Sequence, residues 1–236
     1  MKVEQYGPET DPDLVWILGW GNRLHHENVG WLVDRFTEAG YRVHAFRIPD
    51  IVAEFERDYV GPVDSYLSKL DRFRLVGHSA GGLIAAYVDG AETTTYLSPF
   101  WGFPRGLTGV DDRLLSLVAR LPVTRPILPV GTGSRAAIGA LATDRELREG
   151  PSRAAPTFIR ESRRAQRDRP PVADDAVVFC TLADSVVSTR AIGEAVPPGR
   201  TVLYDGGHEL FASPSRKNQV DTLLAAVDAG AEALDG

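Results

Sequence analysis

The stretch that decides the fold is Phe73-Arg74-Leu75-Val76-Gly77-His78-Ser79-Ala80-Gly81-Gly82-Leu83-Ile84-Ala85-Ala86-Tyr87-Val88. Phe73 to Val76 is a short apolar run of strand type, and Leu83 to Val88 reads as a buried helix. Between them stands Gly-x-Ser-x-Gly, a pattern common by chance but specific when a strand precedes it and a helix follows. The turn is so tight that the serine takes a strained backbone conformation. Gly77 and Gly81 carry no Cβ, which lets strand and helix approach. The hydroxyl of Ser79 is thereby held at the carboxyl end of the strand, within reach of a substrate. A competing reading, a glycine-rich turn that binds an anion at the helix start, calls for no acid or base downstream.

Such partners follow in order. A serine hydroxyl needs a base to take its proton and a third group to orient that base. His208, in Asp205-Gly206-Gly207-His208-Glu209-Leu210-Phe211, lies in a glycine-rich loop just past the last expected strand. It is the one histidine of five so placed. Asp184, in Thr181-Leu182-Ala183-Asp184-Ser185-Val186-Val187, follows the penultimate strand. Asp205 is the rival acid, poorly placed to reach the distal imidazole nitrogen. A tetrahedral intermediate also needs two donors. The backbone N–H of Ala80 supplies one, and the Gly19-Trp20-Gly21-Asn22 loop offers the other at Trp20. Gly19 and Gly21 let that loop approach Ser79, and the Trp20 indole walls the pocket.

Outward from this centre, apolar and β-branched runs alternate with helical patterns. Lys2 to Tyr6 reads as a short edge strand. Leu14 to Leu18, Tyr41 to Ile48, Thr93 to Leu97, Ala176 to Thr181 and Thr201 to Tyr204 read as strands. Helices are expected over Val29 to Ala39, Ile51 to Leu70 (on both sides of Gly61-Pro62), Ser188 to Val196 and Pro214 to Ala233. Strands alternating with helices imply a mostly parallel sheet covered on both faces. From Phe100 to Arg169 the alternation stops. Leu114, Leu115, Leu117, Val118 and Leu121 mark an apolar helix, Thr157 to Gln166 another, and no convincing strand pair is visible.

Composition sets outer bounds. The 236 residues are 43% hydrophobic and 25% charged, which suits one globular domain carrying an insertion. The net charge of −6 does not favour nucleic acid. Of 26 basic residues only Lys2, Lys69 and Lys217 are lysines, a bias that suits a salt-adapted or GC-rich microbe and speaks to solubility alone. The lone Cys180 excludes an internal disulfide, and no apolar run approaches a membrane span or a signal peptide. A cytoplasmic protein is the expectation. His25 and His26 lack a third metal ligand by spacing, and His44 reads as structural. Arg160, Arg163, Arg164 and Arg167 form a helical stripe expected to pair with acidic neighbours.

The chain resembles small members of the α/β-hydrolase superfamily over residues 13–99 and 172–236. Gly77-His78-Ser79-Ala80-Gly81-Gly82 resembles that family's nucleophile elbow. Leu182 to Val187 resembles its acid loop, Gly206-Gly207-His208 its histidine loop, and Gly19-Trp20-Gly21 its oxyanion loop. One departure is Leu18-Gly19, where many members carry His-Gly. The resemblance implies an α/β-hydrolase fold with residues 1–99 and 172–236 as core and 100–171 as a helical cap. Relatives that dehalogenate or open epoxides usually carry aspartate in place of Ser79, which disfavours those activities.

The expectation is a serine hydrolase without cofactor or metal, acting on a small-molecule carboxylic ester or thioester. Ser79 is its nucleophile, His208 its base and Asp184 its orienting acid. The insertion, with Trp101 and Phe103, roofs an apolar acyl pocket bordered by Gly19, Gly21 and His78. The same triad serves acyl transfer or cleavage of an amide or C–C bond, and a non-catalytic ligand-binding scaffold is the remaining alternative. Oligomeric state is not legible.

Overall fold

A computed structural model describes residues 1–104, 118–131 and 133–234. Its frame is a seven-stranded sheet in the order β1-β3-β2-β4-β5-β8-β9. The strands are β1 (Lys2–Tyr6), β2 (Asp13–Ile17), β3 (Arg42–Arg47), β4 (Arg74–His78), β5 (Thr94–Leu97), β8 (Val177–Cys180) and β9 (Thr201–Leu203). All neighbours pair in parallel except β1, which runs antiparallel to β3 on the edge and sets Val3 opposite Phe46.

Burial on both faces explains why these strands read as continuous apolar runs. Val15 and Ile17 point into one core, with Leu75, Tyr96 and Val178. Leu14, Trp16 and Leu18 point into the other, with Val76, Leu97 and Phe179. A fully buried Val, Leu or Phe stabilises the fold by roughly 1.5–3 kcal/mol, so neither face tolerates a polar register shift. Helix α1 (Glu27–Glu38) covers the second face with Val29, Leu32, Val33 and Phe36, a spacing of one helical stripe. It is joined there by α8 (Arg216–Ala229). The first face takes α2 (Gly61–Leu67), α3 (Ala80–Ala85) and α7 (Thr189–Ala195).

Two helix expectations change. Residues 51–54 are not helical; a π-turn over Glu56–Val60 runs into α2 through Gly61-Pro62 as one unbroken helical segment. The Asp58 carboxylate accepts the N–H groups of Ala53 and Glu54, which starts the helical segment late. The last helix begins at Arg216 and ends at Ala229, where Gly230 takes a φ of +61°.

Between β5 and β8 the chain leaves the sheet. It makes the one-turn α4 (Arg135–Ile138), α5 (Asp144–Glu149) and α6 (Pro156–Asp168). A two-residue antiparallel pair, β6 (Leu128–Pro129) with β7 (Arg153–Ala154), also forms here, where no strand pair was expected. Its strands are too short to leave an alternating signature. The helix expected around Leu114, Leu115 and Leu117 lies outside the described residues. Helix α6 buries Phe158, Ile159, Ser162 and Ala165 on one face. Its arginines pair outward: Arg160 with Glu161 at 2.9 Å, Arg164 with Glu161 and Glu56, Arg167 with Asp168. Arg163 lies over the Phe103 ring. Among the described residues no helix is long and apolar enough to cross a membrane.

Candidate active site

Parallel pairing puts the carboxyl ends of β2, β4, β5, β8 and β9 along one rim of the sheet. Ser79 stands on that rim, directly after β4, with φ 53° and ψ −120°. Such a backbone costs on the order of 1–3 kcal/mol in a non-glycine residue and persists only where the surroundings over-determine it. Here they do. The Ser79 N–H donates to Leu97 O at 3.0 Å, and its carbonyl accepts from Gly82, Leu83 and Phe100. A Cβ on Gly81 would sit 2.1 Å from the carbonyl oxygen of Ile17, so only glycine lets α3 start this close to β2.

His208 and Asp184 come from neighbouring strand ends. The carboxylate Oδ2 of Asp184 lies 2.8 Å from His208 Nδ1. Its other oxygen accepts the N–H groups of Val186 at 2.8 Å and Val187 at 3.0 Å. Burial pushes the Asp184 carboxyl up, but the His208 charge and these hydrogen bonds win and hold it below the usual carboxylate value. Burial likewise lowers His208, and the Asp184 charge and hydrogen bond more than reverse this. His208 Nε2 is buried and has no hydrogen-bond partner among the described residues. Asp205 makes no such contact; its carbonyl accepts from Ser215.

The histidine loop is fixed from several sides. The Tyr204 hydroxyl lies 2.8 Å from the carbonyl oxygens of both Gly207 and His208. Thr181 Oγ1 ties the acid loop to Gly206 O at 3.0 Å. The N–H groups of His208 and Glu209 donate to Ala137 O and Ile138 O, each at 2.8 Å. Helix α4 of the inserted segment is therefore a support for the histidine loop.

One cavity is lined by Ser79, His208, Ala80, Trp20, Gly21 and His78 together. The backbone N–H groups of Trp20 and Ala80 have no acceptor among the described residues. The Trp20 indole stacks on Phe158 at 4.3 Å between centroids and donates to Asp50 O, which sets its face to the cavity. Phe103 joins the lining with Phe100, Phe158, Ile159 and Val186. Trp101 does not: it packs against Tyr96 and under Arg169, inside the core. Gly19 is also absent from the lining. A Cβ there would meet His78 Nδ1 at 2.6 Å, so its place is behind the loop. Gly21 has a φ of +96°, and a Cβ on it would come within 2.2 Å of Pro151 Cδ.

Several polar residues of this cavity are not evident from the sequence. Asn22 bridges Glu209 and His78, at 2.8 and 3.1 Å, in full burial. Glu146 of α5 accepts the backbone and side-chain N–H groups of Asn28 and the N–H of Thr143. His25 and His26 do meet a third group, since Glu149 Oε2 lies 2.7 and 3.1 Å from their Nε2 atoms. The three ligand atoms lie within 4.8 Å of one another. Yet the Arg23 N–H donates to His26 Nδ1, which places the His26 proton on Nε2, facing Glu149. Burial lowers His26, in keeping with a neutral ring. The cluster is a hydrogen-bonded clasp between the loop after β2 and α5. His44 is buried between Asp13 and Tyr66, a structural position. Cys180 is buried, its thiol pushed up to about 11.

No family model matches the chain, and no curated protein matches its sequence. Solved structures do match. A monoacylglycerol lipase from Paleococcus ferrophilus superposes with a TM-score of 0.72 at 16% identity, over 96% of this chain and 97% of its own. An esterase from Exiguobacterium antarcticum gives 0.67 at 16% identity, over 96% and 94%. A soluble variant of a monoglyceride lipase from Saccharomyces cerevisiae gives 0.71 at 12% identity, over 96% and 90%. The chain has the α/β-hydrolase fold. At such identities the likeness speaks for the fold, and one fold hosts many chemistries. In this α/β-hydrolase fold, Ser79, Asp184 and His208 follow β4, β8 and β9, and only their own geometry can argue a reaction.

Proposed function

We propose that the protein is a serine hydrolase that cleaves an ester or thioester of an apolar acyl group. One observation carries the reading. His208 holds Asp184 through Nδ1 and leaves Nε2 unpartnered, while its ring lines the same cavity as Ser79. That is the arrangement a general base needs before a substrate arrives, since such hydrogen bonds often tighten only in the complex.

In this mechanism Ser79 Oγ attacks the acyl carbon as His208 Nε2 takes the hydroxyl proton. The carbonyl π pair moves onto oxygen, where the N–H groups of Trp20 and Ala80 receive the charge. The intermediate collapses, the bond to the leaving oxygen or sulfur breaks, and His208 returns the proton to it. Water then attacks the acyl-enzyme by the same route, releasing the acid and restoring Ser79. Asp184 keeps the imidazole in one tautomer and stabilises its cation. Phe100, Phe103, Phe158 and Ile159 favour an apolar acyl chain, and the described part of residues 100–171 serves as its cap. Lipases and esterases among the structural neighbours point the same way.

The test is a series of p-nitrophenyl esters from acetyl to decanoyl, with thioesters alongside. The expected result is turnover that improves toward medium chains and is lost in Ser79→Ala. No turnover by folded wild type, or equal turnover by Ser79→Ala, overturns the proposal.

A further inference from the structure

Asn22, His78 and Glu209 each stand within two residues of a group assigned above to the chemistry. Asn22 follows Trp20 on the loop after β2, His78 precedes Ser79, and Glu209 follows His208. All three are buried, with relative exposures of 7%, 1% and 8%. One carboxamide joins them: Asn22 Nδ2 donates to Glu209 Oε1 at 2.8 Å, and Asn22 Oδ1 lies 3.1 Å from His78 Nδ1. The amide turns its nitrogen to Glu209, whose carboxyl oxygen accepts, and its oxygen to His78, which donates from Nδ1.

We infer that Asn22 and Glu209 are positioning residues, a bridge that sets the Trp20 donor, Ser79 and His208 at working distances from one another. The inference rests on the triad reading above. Among the described residues no backbone hydrogen bond joins the loop after β2 to the histidine loop. The loop after β2 closes on itself, Asn22 N to Gly19 O at 3.1 Å, while the histidine loop is hydrogen-bonded to Ala137 and Ile138 of α4. Of the contacts described here, the Asn22 amide is the one that spans both loops and the residue before Ser79. A buried amide–carboxylate pair also resists being broken on one side, because the stranded partner keeps its desolvation cost. Burial pushes the Glu209 carboxyl up to about 7, so a neutral acceptor of the same shape suits the position. Glutamine keeps an oxygen for Asn22 Nδ2; methionine does not.

The experiment uses the full chain with p-nitrophenyl butyrate and active sites counted by fluorophosphonate titration. The variants are Glu209→Met, Asn22→Ala and Glu209→Gln. Small misplacements of reacting groups cost up to about 100-fold, so Glu209→Met and Asn22→Ala should lose about 10- to 100-fold in kcat per titrated site. KM should move less than about threefold, and Glu209→Gln should recover kcat to within about threefold of wild type. A contribution to folding alone would lower the number of titratable sites and leave kcat per site unchanged. Unchanged kcat per site in either bridge-breaking variant overturns the inference, as does a Glu209→Gln loss equal to that of Glu209→Met. Should Glu209→Met fail to fold, Asn22→Ala decides. Wild type that neither turns over the ester nor labels overturns the triad reading instead.

Discussion

The floor of the cavity and its roof are built by opposite means. The floor is strand ends: β2, β4, β5 and β8 are apolar on both faces, and the loops that leave them inherit their rigidity. The roof, between β5 and β8, has two short helices, the longer α6 and a two-residue ladder. Besides the apolar residues Phe158 and Ile159 it is held by carboxylates, two of them buried: Glu146 on Asn28 and Thr143 and Glu161 on Phe55 N, with the half-exposed Glu149 on the two histidines. Apolar packing is non-directional and tolerates small shifts, whereas a buried carboxylate must keep each of its donors. The floor should therefore carry the chemistry, and the roof should decide what fits and how firmly it closes.

Removing the proposed nucleophile from the floor tests that division most severely. Ser79→Ala should lower kcat by at least about 10⁴-fold while leaving the melting temperature equal or higher, because alanine removes only a hydroxyl. Asp184→Asn should cost about 10³- to 10⁴-fold through the wrong histidine tautomer. Its pH profile sharpens the point. Asp184 raises His208 above its ordinary value of about 6.5, and a protonated imidazole cannot accept the serine proton. Wild-type kcat/KM should thus fall about tenfold per pH unit below a limb placed above pH 6.5. In Asp184→Asn that limb should move down.

The roof should respond in stability first. Glu146→Ala strands the N–H groups of Asn28 and Thr143, and unsatisfied buried donors cost about 1–3 kcal/mol each. Urea unfolding should show a loss of about 3 kcal/mol, with kcat per titrated site changing much less. A collapse of kcat at unchanged stability would break the comparison. Smallest of all, Phe103→Ala removes one half-buried ring from the lining. It should raise KM for octanoyl esters about fivefold and leave acetyl esters alone, since one partly buried side chain contributes about 1 kcal/mol.

The same contrast explains what could be read from the chain. Strands buried on both faces leave contiguous runs such as Leu14 to Leu18 and Val177 to Cys180, and functional side chains just past them inherit that visibility. Ser79 follows such a run directly and Asp184 a few residues after one, whereas His208 comes after the partly exposed edge strand β9 and was marked instead by its glycine-rich loop. Asn22 and Glu209 meet across 187 positions, and Asn28 and Glu146 across 118, so no local period announces either pair. Glu209 had one faint signal, a charge set between a glycine-rich turn and Leu210-Phe211-Ala212, all three buried. Trp101 misled for the reverse reason: an aromatic at the start of the insertion looked like lining, but Tyr96 and Arg169 already enclose it.

Everything turns on whether His208 activates Ser79. The direct measurement is stoichiometric labelling of the full chain by a fluorophosphonate, with the modified peptide identified by mass spectrometry. The account predicts one adduct per chain on Ser79, slowed by orders of magnitude in His208→Ala. An unlabelled but folded wild type, an adduct on another residue, or labelling of Ser79 at the same rate without His208 would contradict it.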